Sequence, residues 1–119
     1  KYVQYDTGSA GAAAVAGEVA YYYTLDGYKN NVVTSDLSDS IEIGAGVLQA
    51  VMTDGQFGWV QISGPATLTI ALTAGADGDP LTPTGSADGT LDVSADVTDN
   101  VCAIAGDISD KEIICTFPL

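Results

Sequence analysis

The stretch VLQAVMTDGQFGWVQI, residues 47–62, contains the clearest fold signal in the sequence. Two runs rich in β-branched and aromatic residues flank Asp54-Gly55, a dipeptide that tolerates the positive φ angles of tight hairpin turns. We therefore predict a β-hairpin in which residues 47–53 enter the turn and residues 56–62 leave it. The Gly64-Pro65 dipeptide that follows is expected to break the strand.

The rest of the chain repeats this pattern of short β-runs separated by turns. Three further Asp-Gly dipeptides begin at residues 26, 77 and 88, and the runs recur every eight to twelve residues or so, as in sandwiches and barrels. Residues 10–19 are the one plausible short helix, and their glycines favour an irregular loop. We predict an all-β fold, a small single-domain β-barrel or β-sandwich, jelly-roll-like, with short hairpins and an N-terminal arm. The other expected strands cover residues 1–6, 18–24, 41–43, 66–73, 79–82, 90–93, 101–105 and 111–117.

Length and charge limit the domain count and the classes of partner. The 119 residues fit one domain, residues 1–119, in which residues 1–17 would form an extended arm and loop. Sixteen carboxylates face three lysines, with no arginine or histidine, so the net charge is −13. Such a surface repels nucleic-acid phosphates and anionic membranes, and we expect neither as a partner. The acidity either serves solubility or docks the protein onto a basic surface.

The sequence lacks the residues that most enzymes use. Without histidine, the usual general base near neutral pH and the Ser-His and Cys-His nucleophile pairs are missing. A carboxylate pair drawn from Glu18, Glu42 and Glu112 would be the remaining catalytic option. We predict no enzyme, no catalytic residue and no cofactor.

A calcium site is the metal alternative that the sequence raises. Asp77, Asp79 and Asp88 would offer hard oxygen ligands if they converged in one loop region. The EF-hand pattern is not met, because Leu81 occupies the third ligand position. Turn formation explains these aspartates better, and we predict no metal site.

Two cysteines, Cys102 and Cys115, lie in apolar runs near the C-terminus. They would be either buried free thiols or a disulfide between paired strands. If residues 101–105 and 111–117 pair around residue 108, Cys102 lies opposite about residue 114. Cys115 is then one position out of register, and the two side chains point to opposite faces. We predict free thiols.

The aromatic residues raise the question of an exposed ring. In the run Tyr21-Tyr22-Tyr23, the middle ring points away from its neighbours if the run is a strand, so one ring is exposed unless both faces are covered. We expect Phe57 and Trp59 to pack in the core. An exposed Tyr or Trp would serve either a protein interface or sugar stacking.

Several segments, read in order, resemble a known family. They are residues 46–50, the turn DGQFGWVQ at 54–61, Gly64-Pro65-Ala66, GDPL at 78–81, DGTL at 88–91, residues 101–105 and the apolar C-terminus at 113–119. Together they resemble the small capsid decoration (cement) proteins of tailed bacteriophages over residues 40–119. Within this match Asp54, Gly55, Gly58, Trp59, Gly64 and Pro65 form the structural hairpin motif.

This resemblance implies a virion structural protein that binds the outer surface of an icosahedral phage capsid and stabilises it. The implied location is the outer capsid surface, the implied partner is the major capsid protein, and no active site is implied. Because multivalency raises avidity, we expect a homo-oligomer, a trimer before a dimer. The alternative function is an extracellular carbohydrate-binding or adhesin-like β-module.

The N-terminal segment is the candidate for partner contact. Residues 1–6 would form either an arm that adds to a neighbour as an extra strand or an ordinary edge strand. The candidate contact residues are Lys1, Tyr2, Val3, Tyr5 and Tyr22.

Overall fold

The computed structural model describes residues 1–9 and 14–118, which form two β-sheets, one from each half of the chain. The N-terminal half closes into a five-stranded barrel in the order β1-β3-β2-β4-β5. β1 and β3 run parallel, and the other barrel pairs are antiparallel. The barrel strands are β1 (Tyr2–Tyr5), β2 (Val19–Tyr23), β3 (Val32–Thr34), β4 (Ser40–Leu48) and β5 (Phe57–Gln61).

The C-terminal half forms an open antiparallel sheet in the order β6-β10-β9-β7-β8. Its strands are β6 (Ser63–Thr67), β7 (Pro80–Thr82), β8 (Asp92–Val93), β9 (Ala103–Asp107) and β10 (Glu112–Thr116). The all-β prediction is therefore confirmed, with a barrel and a packed second sheet in the same chain.

Helical structure is limited to single turns. A short helix, α1 (Gly27–Asn30), and 3-10 turns at Leu37–Asp39 and Ile108–Asp110 connect strands. Before each 3-10 turn an aspartate side chain, from Asp36 or Asp107, accepts a hydrogen bond from the backbone two residues on, which satisfies a free N–H group. Among the described residues, no helix has the length and apolar character needed to cross a bilayer.

Two apolar cores stabilise the barrel and its packing against the second sheet. The barrel interior is one core, and the other lies between the outer side of β2 and β4 and the second sheet. Tyr22 points into the barrel, whereas Tyr21 points into the core between the layers, and both are fully buried. Both faces of β2 are therefore covered. Neighbouring tyrosines can then point to opposite faces of the strand without either ring being exposed to solvent.

The first strand is an internal member of the barrel. β1 pairs with β3 on one side and with β5 on the other, and it buries Val3 and Tyr5 in the barrel core. The alternative of a free arm over residues 1–6 is therefore wrong, and the segment is not an edge strand either. Residues 10–13, within the predicted loop of residues 10–19, and Leu119 lie outside the described residues.

The predicted hairpin is correct in position but differs in shape. Val47 pairs with Gln61 and Leu48 with Val60, which centres the connection on residue 54. Gln49 N still donates to Trp59 O (3.2 Å), but residues 50–56 leave the ladder, and Met52 forms a bridge with Ala14 instead.

The segment after the hairpin departs further from expectation. Gly64-Pro65 does not break the chain but lies within β6, an edge strand, where a missing N–H group is tolerated. The strand predicted over residues 66–73 ends at Thr67. Beyond it, Thr69 N donates to Gly17 O (2.9 Å), which holds the chain to a loop rather than to a strand.

Candidate interaction surface

The outer side of β1 and β5 exposes three aromatic rings. Side chains alternate along both strands, so Val3 and Val60 point into the barrel while Tyr2 and Trp59, which face each other in the ladder, point outward. Phe57 lies on the same side. The exposed fractions of Tyr2, Phe57 and Trp59 are 50%, 54% and 61%. The prediction that Phe57 and Trp59 pack in the core is therefore wrong.

The three rings form one continuous surface. The Tyr2 and Phe57 ring centroids are 5.9 Å apart with an interplanar angle of 12°, a stacked pair. The Tyr2 and Trp59 centroids are 5.0 Å apart at 61°, an edge contact. Gln4 and Gln61 occupy the remaining outward positions of these two strands. We call these five residues the aromatic face.

The aromatic face rests on a filled interior. Gly58, between Phe57 and Trp59, points inward, and a Cβ there would lie 2.6 Å from Met52 Sδ. Glycine therefore lets the buried Met52 side chain pack directly beneath the strand. On the outer side, Gln4 Nε2 donates to Gly55 O (3.2 Å), which ties the neighbouring turn to β1. Both contacts favour a rigid surface.

The aromatic face is also uncharged. The outward positions of β1 and β5, two strands that the structure describes in full, hold Tyr2, Gln4, Phe57, Trp59 and Gln61 and no carboxylate. The same chain contains sixteen carboxylates. The neutrality of this face contrasts with the acidity of the molecule.

The predicted contact residues are divided between surface and core. Tyr2 is exposed, but Val3, Tyr5 and Tyr22 are 1%, 2% and 0% exposed, so their side chains are inaccessible to a partner in the folded barrel. Lys1 Nζ donates to Tyr22 Oη (2.6 Å) and lies 5.1 Å from the centre of that ring, a cation–π contact. Only Tyr2 among the five candidates therefore presents an exposed ring.

A second apolar protrusion lies between β2 and α1. Leu25 is 88% exposed, and its φ of 60° is a left-handed conformation that costs a non-glycine residue free energy. Tyr28 is half-exposed beside it in sequence. A groove of about 330 Å³ is lined by both Leu25 and the carboxylate-bearing Asp6 and Asp26. We call Leu25, Asp26 and Tyr28 the β2–α1 tip.

Carboxylates also act on Tyr23, which lines the same groove as Leu25. Asp6, the strongest contributor, raises the pKa of the Tyr23 phenol above its ordinary value, and burial, Asp39 and Asp54 add to the effect. Like charges disfavour a second negative charge, so the raised pKa reports clustered carboxylates.

The aspartates considered for calcium accept backbone hydrogen bonds instead, Asp79 within its own turn and Asp77 and Asp88 at the first residues of the two distant 3-10 turns. Asp77 Oδ1 accepts from Ile108 N (3.0 Å), Asp79 Oδ2 from Ala76 N (2.8 Å) and Asp88 Oδ1 from Leu37 N (3.0 Å). Within residues 1–9 and 14–118, no group of three or more potential ligands has a geometry suited to a metal ion.

The two cysteines are free and buried in the core between the layers. Cys115 pairs with Ala103, and Thr116 N donates to Cys102 O (2.9 Å), so the cysteines are one position out of register as predicted, but Cys102 lies opposite Thr116 and not opposite residue 114. The expected opposite faces are wrong, because Cys102 precedes the first residue of β9 and strict alternation does not apply there. Burial raises the pKa of Cys102 to about 12 and that of Cys115 to about 11.

Comparison of the chain with models of protein families, with curated proteins and with solved structures found no match.

Proposed function

We propose that this chain is a virion structural protein that binds the outer surface of an icosahedral phage capsid and stabilises it. Its partner is the major capsid protein, and it attaches as a homo-oligomer, a trimer before a dimer. The chain is a binding module and not an enzyme. The order of the sequence motifs over residues 40–119 supports this proposal, and the surface supplies the physical reason.

The distribution of charge is the strongest support. Every Asp and Glu except Asp36 is at least partly exposed. Two of the three lysines bind within the molecule, Lys1 Nζ to Tyr22 Oη and Lys111 Nζ to Thr69 O. The outward potential is therefore strongly negative, and a negative surface accelerates and orients association with a basic one. The capsid surface that binds this module is accordingly expected to be basic.

The β2–α1 tip is the contact that we assign to the capsid. Leu25 is a large exposed side chain that lines a groove together with Asp6 and Asp26, and an apolar anchor beside polar groups is the arrangement of many interfaces. Leu25 holds a strained backbone and an exposed side chain at once, and neither property benefits the isolated fold. Binding of the leucine in a pocket of the shell explains both.

Co-sedimentation with capsids that lack the protein tests the proposal. We expect near-stoichiometric binding that weakens between about 0.05 and 0.5 M salt, because the Debye length falls roughly threefold over that range. Leu25→Gly removes the side chain but suits the φ of 60°, so it should weaken capsid binding about tenfold or more without lowering stability. Val97→Ala, at another fully exposed position, is the matched control.

Two results would contradict this assignment. Absence of co-sedimentation at every salt concentration would exclude capsid decoration. Full binding by Leu25→Gly would move the contact away from the β2–α1 tip. Light scattering of the free protein tests the oligomer separately, since a monomer mass at working concentrations would contradict the trimer.

A further inference from the structure

The aromatic face needs an explanation that the acidic surface does not provide. Tyr2 contacts both Phe57 and Trp59, and each of the three rings is at least half exposed. Single exposed apolar residues are ordinary in soluble proteins, but contiguous exposed patches usually mark binding sites. This patch also lies on an outer barrel surface that the second sheet leaves uncovered, since that sheet packs on β2 and β4.

We propose that the aromatic face is a binding site for neutral saccharides, a function separate from capsid attachment. Pyranose rings present one face of C–H groups with small positive partial charges, and aromatic ring faces are negative. Tyr2 and Phe57 are only 12° from parallel and stack on each other, so the ring faces outside this stack are the ones that can meet a sugar, and Trp59 makes an edge contact with Tyr2. Apolar stacking at the centre with polar groups at the margin matches the two-sided chemistry of a sugar.

The polar groups at the margin are amides and a phenol. Gln4 follows Tyr2 on the outward side of β1, and Gln61 follows Trp59 on the outward side of β5. An amide offers two N–H donors and an acceptor oxygen, and a phenol offers one of each. Gln4 donates one N–H group to Gly55 O, whereas Gln61 donates both of its N–H groups, to Ser63 O and Pro65 O. Gln61 therefore meets a sugar hydroxyl through its side-chain oxygen, as an acceptor.

Charge selects the class of saccharide. With a net charge of −13, the chain disfavours the approach of uronic, sialylated or sulfated glycans. A cationic partner would gain more at the carboxylate-rich surface than at a face without charge. A neutral oligosaccharide is neither repelled by the net negative charge nor drawn away to the carboxylate-rich surface.

The rigidity of the face lowers the cost of binding. The contacts of the Tyr2 ring with Phe57 and with Trp59 order the aromatic side chains before any ligand arrives, and Met52 fills the interior beneath the strand that carries two of them. Side chains that are already ordered lose less conformational entropy on binding. Small ligands depend most on this saving, since they make few contacts.

Trp59 provides a direct signal because it is the only tryptophan in the chain. The experiment titrates the full chain with soluble neutral hexasaccharides of glucose, mannose, galactose and N-acetylglucosamine, and with polygalacturonate as the acidic comparison. We expect a saturable change in tryptophan emission with at least one neutral hexasaccharide. The affinity should not change between about 0.05 and 0.5 M salt, because no charge pairing contributes.

Variants locate the site, with calorimetry as the readout because Trp59→Ala removes the fluorophore. Trp59→Ala should weaken saccharide binding about tenfold or more, and Tyr2→Ala should weaken it severalfold. Leu25→Gly, on the β2–α1 tip, should bind saccharide as the unmodified chain does. Thermal unfolding of each variant checks the fold, and Trp59→Phe should retain part of the affinity because it keeps a ring.

Several outcomes would overturn the proposal. They are no response to any neutral hexasaccharide, unchanged binding by Trp59→Ala, and binding of polygalacturonate alone. Loss of capsid co-sedimentation by Trp59→Ala would instead make the aromatic face a protein-docking surface. The two functions can fail independently, since capsid binding is read by co-sedimentation with Leu25→Gly and saccharide binding by titration with Trp59→Ala.

Discussion

Replacement of Tyr21 by Phe tests whether a single buried hydroxyl joins the two layers. Tyr21 extends from β2 into the core between the barrel and the second sheet. Its hydroxyl accepts a hydrogen bond from Thr90 N (3.0 Å) and donates to Thr90 O. Thr90 itself is 0% exposed, so water cannot replace the lost hydroxyl.

The expected cost follows from these contacts. A typical internal hydrogen bond contributes about 1 kcal/mol net, and an unsatisfied buried N–H group costs about 1–3 kcal/mol. Tyr21→Phe keeps the ring and its packing, so we expect a loss of about 1.5–3 kcal/mol in the free energy of unfolding. For a domain of this size each kcal/mol lowers the Tm by roughly 4 °C. The melting temperature should therefore fall by about 6–12 °C.

The pH dependence gives a second, independent signature. Burial, the largest cause, raises the pKa of the Tyr21 phenol above its ordinary value of 10.0. A raised folded-state pKa stabilises the fold fully below pH 10, and that stability is lost as pH rises, because only the unfolded state then ionises. Phe has no such ionisation. The stability advantage of the unmodified chain over Tyr21→Phe should thus shrink by about 1.4 kcal/mol at pH 11.

Urea unfolding followed by circular dichroism and Trp59 emission measures both effects. Tyr2→Phe, at a half-exposed position, is the matched control and should remain within about 0.5 kcal/mol of the unmodified chain. A loss below about 0.5 kcal/mol for Tyr21→Phe at neutral pH would refute the role of the hydroxyl. So would a difference between the two chains that stays constant up to pH 11.

Three further expectations concern the backbone, the thiols and the first strand. Gly46→Ala should destabilise the chain by about 2 kcal/mol more than Gly78→Ala in urea unfolding. Both glycines have a positive φ, but only the new Cβ of residue 46 would meet a backbone oxygen, Gln61 O at 2.8 Å. Alkylation without reductant should modify Cys102 and Cys115 fully in denaturant but slowly in the native state at pH 8, because their raised pKa values suppress the thiolate form. A mass spectrum of the denatured sample in which both cysteines are unmodified would contradict free thiols. Deletion of residues 1–6 should abolish the cooperative unfolding transition, because it opens the barrel and removes two core side chains. A sharp transition in calorimetry would show that β1 is dispensable.

Local sequence patterns predicted the positions of turns and strands better than they predicted which strands pair with each other. The Asp54-Gly55 turn could be located because both dipeptide and flanking strands are continuous in sequence. The internal position of β1 depends on pairing with β5, more than fifty residues away, and no local pattern contains that information. β3 was missed for a related reason, since it has only three residues and gains its stability from β1 and β2 on either side.

The direction of the aromatic rings was within reach of the sequence. In FGWVQ, residues 57–61, alternation groups Phe57 and Trp59 with Gln61 on one side and Gly58 with Val60 on the other. Hydrophobicity alone favours burial of Phe57 and Trp59, and the prediction that relied on it was wrong. The polar Gln61, on the same side of the strand, indicated that this side faces solvent. Gly58 could not reveal that Met52, from the connection before β5, fills the space beneath it.

The architecture restricts where this chain can bind anything. Closure of the barrel removes its strand edges, the second sheet covers β2 and β4, and the outer side of β1 and β5 stays exposed at Tyr2, Phe57 and Trp59. At the edge of the second sheet, Gln61 Nε2 donates to Ser63 O (3.0 Å) and Pro65 O (2.8 Å), which occupies backbone acceptors of β6 and disfavours strand addition there. The two proposed contacts both rely on side chains, on the acidic surface with Leu25 for the capsid and on the neutral aromatic face for a saccharide. Salt should screen the first contact and leave the second unchanged, so a single salt series on the unmodified chain would separate the two proposed binding activities.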